Sequence, residues 1–473
     1  MLMPVDQSPV RKTSEMRLKP RRQILAWLAL AAMLVVCPAS GAVQDEYILR
    51  CSPTAITGVV SRHAMTLIRP LDDPAYGIYL VRGPAGAPLA QYLSEVSADP
   101  AVAAVEPNAD VVVPETPPGL QLNQSTASIL DALANPTVIS FFGTPVLSSY
   151  VNQPAAVLVR VANTQRFFAT GAGIVAVIDT GVDPNQPVLK ASLVPGFDFT
   201  RNLPGIPSEF TDLSQSTASI LDQSTASILD QNTIVVLNQS TASILNQSTA
   251  SILDTTQVPQ AFGHGTMVAG IIHLVAPTAQ IMPLKAFKAD GTSNLFDILR
   301  AIYFAVDHGA KVINMSFSMV NSSPELVRAI NYANGHGLIC VSSAGNTGKE
   351  TLVFPAGYRN VIGVASTNNL DMRSTFSNFG HSLTFMTAPG EGIITTYPGN
   401  HYAAAWGTSF STPFVSGTAA LLVQTQLTIT PGLAFGVLAH AKPLSSDLGW
   451  GRLDVYLALW EEVNPRPVGA PAP

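Results

Sequence analysis

The sequence predicts an α/β domain with a mainly parallel sheet, preceded by a smaller α+β unit. Three observations predict it. From about residue 171, short apolar runs alternate with helical patterns. Residues 46–113 read in the order β-α-β-β-α-β. An Asp, a His and a Ser stand where a strand ends and two helices begin, the crevice of an open α/β sheet.

In the first unit, Tyr47–Cys51, Ala64–Ile68, Gly77–Val81 and Asp110–Val113 read as strands and 53–62 and 88–98 as helices, the pattern of a ferredoxin-like unit spanning 43–113. Pro114-Glu-Thr-Pro-Pro-Gly119 can continue neither strand nor helix, so 114–170 is read as a linker and the lead-in to the larger domain. Within 171–460, central strands are expected at Ile174–Ile178, Gln280–Lys285, Lys311–Met315, Leu338–Ser342 and Val361–Ala365, with helices at 264–274, 294–308, 324–335 and 411–426. The Pro-rich stretch 461–473 reads as a tail.

Composition narrows the function. The 473 residues suffice for two or three domains, and at 47% hydrophobic and only 12% charged they are not a disordered chain. Lys and Arg number 25 against 31 Asp and Glu, so there is no basic face for phosphate, and nucleic acid is excluded as a partner. Mean hydropathy is +0.28, which raises a membrane reading, yet the one candidate run, Ile24–Val36, is too short to span. It follows Arg11, Lys12, Arg17, Lys19, Arg21 and Arg22 and precedes Ser40-Gly-Ala42, so 1–42 reads as an export signal. The product is expected in the medium or on the cell-envelope exterior, with no transmembrane domain after signal removal. A twin-arginine address at Arg21-Arg22 and a poor lipoprotein box at Leu34–Cys37 are the alternatives. Cys37, Cys51 and Cys340 make no disulfide framework; Cys340 reads as a buried small hydrophobe, with a Cys51–Cys340 bridge as the alternative.

An octad, Gln-Ser-Thr-Ala-Ser-Ile-Leu-Asp, stands at 124–131, 215–222, 223–230 and 247–254, with variants at 231–238 and 239–246. On a helix each copy would drift by about 80°, so no continuous apolar stripe forms. The insertion 215–254 reads as an expanded surface loop, since loop length costs little, with a small stack of strands as the alternative.

The chemistry lies in three segments. Val175–Asp183 ends an apolar strand in Asp179, Gly263-His-Gly-Thr-Met-Val-Ala-Gly270 opens a helix with His264, and Gly407-Thr-Ser-Phe-Ser-Thr-Pro413 opens another with Ser409. A neutral Ser is a weak nucleophile; it needs a His to take its proton and a carboxylate to hold the His in one tautomer. Pro413 suits the first turn of its helix and the glycines are expected to allow close approach of backbone to substrate.

In these motifs and their order, the chain resembles the subtilisin-like serine peptidases (peptidase S8) over roughly 171–457. Ser343-Ala-Gly-Asn346, Ile313-Asn-Met-Ser-Phe317, Val353-Phe-Pro-Ala356, Ser374–Asn378 and Ala388-Pro-Gly390 add to the likeness. The resemblance implies a seven-stranded parallel core and a serine endopeptidase acting on peptides or proteins. It implies Asp179, His264 and Ser409 as the triad, Asn346 as oxyanion donor, and Ser316, Phe317, Ser318, Ala344 and Gly345 as substrate-binding. It also implies that 43–113, ending Val105-Glu-Pro-Asn-Ala-Asp110, is an inhibitory propeptide.

No cofactor is required for that chemistry. A structural calcium is possible but not inferred, because the chain passes from Gly270 to Ala276-Pro277 without the loop that holds one in some subtilisins. Ser316-Phe-Ser-Met319 stands where relatives usually have two glycines, and Met267 and Phe414 replace frequent histidines. Taken singly, Asp179 could be a turn carboxylate, His264 a buried structural His, Ser409 an N-cap and Asn346 a loop residue. Such structural or solvated roles are expected for His273, His308, His336, His381 and His401. The rival function is a surface binding or display protein on a peptidase scaffold, with the repeats as its working part.

Overall fold

The structure, a computed structural model, describes residues 45–113, 137–213, 234–238, 241–243, 259–426 and 428–463. The expected export signal, residues 114–136, most of the repeats and the tail from 464 lie outside them.

The first unit consists of β1 (Glu46–Cys51), α1 (Ile56–Arg62), β2 (Thr66–Pro70), β3 (Ile78–Arg82), α2 (Leu89–Ser97) and β4 (Val102–Pro107), in an antiparallel sheet of order β2-β3-β1-β4. This is the ferredoxin-like arrangement, but its fourth strand is Val102–Pro107 and not Asp110–Val113. Val102 to Val105 read too weakly alternating to be noticed. The expected strand exists as β5 (Asp110–Val112), and it pairs with the larger domain. Alternation divides the unit's apolar residues between two faces. Tyr47, Leu49 and Cys51 pack with Val59, Tyr92 and Val96 under the unit's own helices, whereas Ile48, Ile78 and Leu80 join the core of the larger domain.

Residues 137–170 are more structured than a lead-in. They form a hairpin of β6 (Val138–Phe141) and β7 (Thr144–Leu147) and three short helices, α3 (Ser148–Val151), α4 (Pro154–Leu158) and α5 (Val161–Phe167). Phe141, Val146, Leu147 and Tyr150 are buried in the main core.

The large sheet begins with β8 (Ile174–Asp179), β9 (Gly196–Asp198) and β10 (Leu203–Gly205). Within the insertion, β11 (Ile234–Asn238) and β12 (Thr241–Ser243) are strands. Then come α6 (His264–Val275), β13 (Gln280–Lys285), β14 (Thr292–Asn294), α7 (Leu295–Asp307), β15 (Val312–Met315), α8 (Pro324–Gly335), β16 (Ile339–Ser343), β17 (Ile362–Thr367) and β18 (Met386–Pro389). A hairpin of β19 (Ile393–Tyr397) and β20 (His401–Ala405) precedes α9 (Thr408–Thr425), α10 (Pro431–Leu438) and α11 (Val455–Val463). The sheet order is β10-β9-β13-β8-β15-β16-β17-β18, and every pairing from β9 to β18 is parallel, giving the seven parallel strands expected.

Both faces are covered, as a parallel sheet requires. On β8, Val175 and Val177 pack with residues of α6 and α9, while Ala176 and Ile178 pack with α7 and α8. Strand β11, from the degenerate repeat copy, runs parallel to β20, and β12 turns back antiparallel, so these residues form strands and not an open loop. Cys51 and Cys340 are both free and buried, in different cores, so the bridge weighed from sequence does not form. Burial pushes the Cys340 thiol up to about 12. Among the described residues no helix is long and apolar enough to cross a membrane.

His273, near the end of α6, is 5% exposed, hydrogen-bonds through Nδ1 with Ser192 Oγ at 3.1 Å and meets Phe141 edge-on. Burial pushes its ring down to about 4. The folded ring therefore stays neutral where the unfolded one, with an ordinary value of about 6.5, takes a proton. The stability this confers is complete above about pH 6.5 and is lost as pH falls towards 4, an effect of up to a few kcal/mol. Urea midpoints should fall over that window, and His273→Gln should flatten the fall. An equally steep fall with Gln at 273 would contradict this.

Candidate active site

Asp179 is the last residue of the central strand β8, paired in register with Lys285 of β13. It is 1% exposed, and its Oδ1 accepts the Thr180 N–H at 2.7 Å. The same oxygen lies 2.7 Å from Nδ1 of His264, the first residue of α6. An ionised carboxylate only accepts, so the proton of this hydrogen bond belongs to Nδ1, and Nε2 is the basic nitrogen of the neutral ring.

This contact is possible because the next residue is glycine. A Cβ built on Gly265 would overlap the Gly181 carbonyl oxygen and stand 3.2 Å from Asp179 Oδ1. The second glycine of Gly-His-Gly thus lets the helix start touch the strand end, a close approach within the protein and not towards a substrate.

Ser409 lies in the first turn of α9, which begins at Thr408, three residues before the start read from sequence. Pro413 is consequently inside the helix and not in its first turn. A proline there cannot donate to the carbonyl four residues back, which is that of Ser409. That carbonyl instead accepts the Ser316 hydroxyl at 3.0 Å. The Ser409 hydroxyl in turn donates to the Ser316 carbonyl at 3.3 Å. Asn314 supports the pair, donating from Nδ2 to Ser316 Oγ at 3.0 Å and accepting the Ser416 hydroxyl at 2.8 Å. The ring of Phe410, the residue after Ser409, lies 5.4 Å from the His264 ring.

Asn346 follows β16, and its Oδ1 accepts both the backbone N–H of Thr408 at 2.9 Å and the Thr408 hydroxyl at 2.8 Å. These two bonds fix which end of the amide is the oxygen and so orient the NH2 end as a donor. Sequence reading quoted Thr408 within its motif without seeing this role; a hydroxyl beside the Ser was the available signal. Gly345, before Asn346, has φ +89°, and a Cβ there would stand 2.7 Å from Asn378 Nδ2.

The residues expected to bind substrate fall into two groups. Ser318, beyond the end of β15, donates its N–H to the Val112 carbonyl at 3.3 Å, an isolated antiparallel bridge. On its other side β5 pairs antiparallel with β14, Thr292 opposite Val112, and the Val113 N–H donates to the Gly291 carbonyl at 3.0 Å. Residues 110–113 thus lie as a strand between two edges of the larger domain. Phe317 and Ala344 turn their side chains into packed clusters, Phe317 against Phe287, and Ser316 is held by Asn314 and Ser409.

Sequence reading missed a buried acidic group. Glu209, in a 3-10 helix at Glu209–Asp212, is wholly buried. Its Oε1 accepts the Thr180 hydroxyl at 2.5 Å and the Gly265 N–H at 3.1 Å, and its Oε2 accepts the Thr266 hydroxyl. In a chain only 12% charged, an acid between Asp179 and His264 was visible in sequence, but no periodicity marked it.

A subtilase family model matches residues 171–451. The chain belongs to the subtilase family. Subtilase relatives include thermitase of Thermoactinomyces vulgaris, 33% identical over 268 residues that cover 54% of this chain and 77% of thermitase. A thermophilic serine proteinase of Bacillus sp. (strain AK1) is 34% identical over 53% of this chain, and the chain spans about half, 52%, of that protein's length. The crystal structure of fervidolysin from Fervidobacterium pennivorans, a keratinolytic enzyme related to subtilisin, has the same fold. Its TM-score is 0.65 at 21% identity, covering 91% of this chain and 62% of that one. A Staphylococcus aureus epidermin leader peptide processing serine protease aligns with TM-score 0.59 at 19% identity, over 88% of this chain and 99% of its own. Among the described residues no group of three or more His, Cys, Asp or Glu side chains is placed to hold a metal ion.

Gly265→Ala should separate the strand end from the helix start. Activity should fall by about 100-fold or more, since misplacing reacting groups by 1 Å has that order of effect. The melting temperature should fall with it. A variant with wild-type activity would show that the close approach is dispensable.

Proposed function

We infer that the chain is the precursor of an exported serine endopeptidase. The observation that bears most weight is the buried Asp179–His264 hydrogen bond at 2.7 Å, set beside the α9 turn that presents Ser409 and is pinned to Asn346. His264 Nε2 takes the Ser409 proton as Oγ attacks the peptide carbonyl carbon. Asp179 holds Nδ1–H and stabilises the imidazolium formed. The charge developing on the carbonyl oxygen is met by the Asn346 NH2 and by the Ser409 N–H, a first-turn amide that the helix itself does not use. His264 then protonates the departing amine, and water hydrolyses the acyl-enzyme by the same route. No cofactor enters these steps. A binding or display protein on this scaffold would have no use for an Asn pinned by two bonds from Thr408.

Residues 43–113 act in this reading as the inhibitory propeptide. Strand β5 fills the backbone edges of β14 and Ser318, where an extended substrate would pair. Glu106 caps α8, accepting the Ser323 hydroxyl and the Glu325 N–H, both at 2.9 Å. Arg50 pairs with Glu325 at 2.8 Å and Asp72 with the fully buried Arg300 at 2.7 Å. The basic stretch 11–22 followed by the apolar run 24–36 supports export.

Purified Ser409→Ala should fold and lose turnover, and equal hydrolysis by wild type and variant would refute the reading. Asn346→Ala should lower kcat with little change in KM. The expected loss is about 100- to 1,000-fold, a magnitude taken from subtilisin itself and not from this chain. An unchanged kcat would remove Asn346 from the oxyanion role.

N-terminal sequencing of the mature protein should find a start between 114 and 137, because the hairpin that begins at Val138 carries Phe141, Val146 and Leu147 into the main core. A start within 43–60 would mean that no propeptide is removed.

A further inference from the structure

His264 begins a helix, and the positive end of a helix disfavours a second positive charge. The proposed chemistry nevertheless makes His264 an imidazolium. The groups around the helix start bear on this. Glu209 accepts the Gly265 N–H, which is the first amide after His264, and Thr180 Oγ1 accepts the same N–H at 3.0 Å. The Thr180 hydroxyl lies between two carboxylates, 2.5 Å from Glu209 Oε1 and 3.3 Å from Asp179 Oδ1. Thr266 closes the ring, accepting the Asp183 N–H at 2.8 Å while its hydroxyl goes to Glu209. One carboxylate therefore links the end of β8, the first turn of α6 and the segment leading into the repeat insertion.

We propose that Glu209 is a positioning residue of the catalytic pair, holding the Asp179 strand end against the His264 helix start and supplying negative charge that offsets the helix end when the imidazolium forms. This rests on the peptidase reading above. The charged and titratable groups that act on Glu209 are Asp179 on β8, Lys285 on β13 and Tyr397 on β19; His264 is the chain neighbour of the Gly265 N–H that Glu209 accepts, and Asp212, on its own turn, pairs with Lys285. Lys285 is fully buried and donates to the Thr180 carbonyl at 2.6 Å, to Asp212 Oδ2 at 2.7 Å and to the Phe287 carbonyl at 2.9 Å. Its charge is thus shared with Asp212. Burial raises the Glu209 carboxyl to about 7, and Asp179 adds to the rise, against the lowering by the Thr180 and Thr266 hydroxyls and by Lys285. The negative charge is therefore present above about pH 7 and fades below it.

The test compares pH profiles of kcat/KM on a small peptide for wild type and Glu209→Gln, which keeps the shape and removes the charge. In the acid limb both the resting enzyme and the transition state hold an imidazolium, so the two profiles should converge there. Above pH 7 only the transition state holds it, so wild type should rise above the variant, reaching about 3- to 10-fold at the plateau. KM should change little. A merely structural role would lower activity by a constant factor at every pH, and that result, or coincident profiles, would overturn the proposal. If Glu209→Gln does not fold, Thr266→Val removes one donor to the carboxylate and should move the rise towards the plateau to higher pH; an unmoved profile would overturn the proposal. Inert wild type would instead sink the peptidase reading, and this proposal with it, whereas active wild type with parallel profiles defeats the proposal alone.

Discussion

The structure depends on bringing the carboxyl end of one buried strand against the amino end of one buried helix, close enough for Asp179 and His264 to share a proton. Several features have no other evident purpose. Gly265 has no side chain because the Gly181 carbonyl occupies that space. The seven parallel strands put β8 in the interior of the sheet, covered on both faces, so that Asp179 is held in a medium where a hydrogen bond to a charge is strong. Ser409 and Asn346 are fixed to each other through Thr408 at the start of a second buried helix, so the remaining freedom is the approach of two helices packed face to face.

The insertion that separates Asp179 from His264 in sequence does not disturb this, and Glu209 and Asp212 explain why. Asp212 accepts from Lys285 and the Ala289 N–H, both at 2.7 Å, and pairs with Arg201 at 2.6 Å. The chain is clamped to the underside of the site immediately before the repeats begin. Variation beyond that clamp, including strand β11 along β20, can alter the surroundings of the site without moving the pair. The same logic holds for the first unit, which has its own small core and meets the larger domain through β5, through Ile48, Ile78 and Leu80 on the other face of its sheet, and through a few ion pairs.

Much of this was legible in the sequence. Buried parallel strands read as apolar runs, and Asp179, His264, Asn346 and Ser409 stood in motifs whose glycines and helix starts are local signals. The misses have physical causes. Val102–Pro107 has small residues and little alternation, so the stronger run Asp110–Val113 was taken for the fourth strand of the first unit. Pro413 was read as a first-turn proline because nothing in the sequence reveals that Ser316, far away in the chain, satisfies the carbonyl it strands. Glu209 and Thr408 act through contacts across the fold, which no spacing encodes.

The most direct test of the central claim is covalent. The matured protein should be treated with a fluorophosphonate, digested and mapped by mass spectrometry, alongside His264→Ala. The account predicts a single phosphonylated residue, Ser409, with labelling lost when His264 is removed, because the hydroxyl is reactive only beside a base held by Asp179. Labelling at another residue, or labelling of Ser409 that persists without His264, would contradict it.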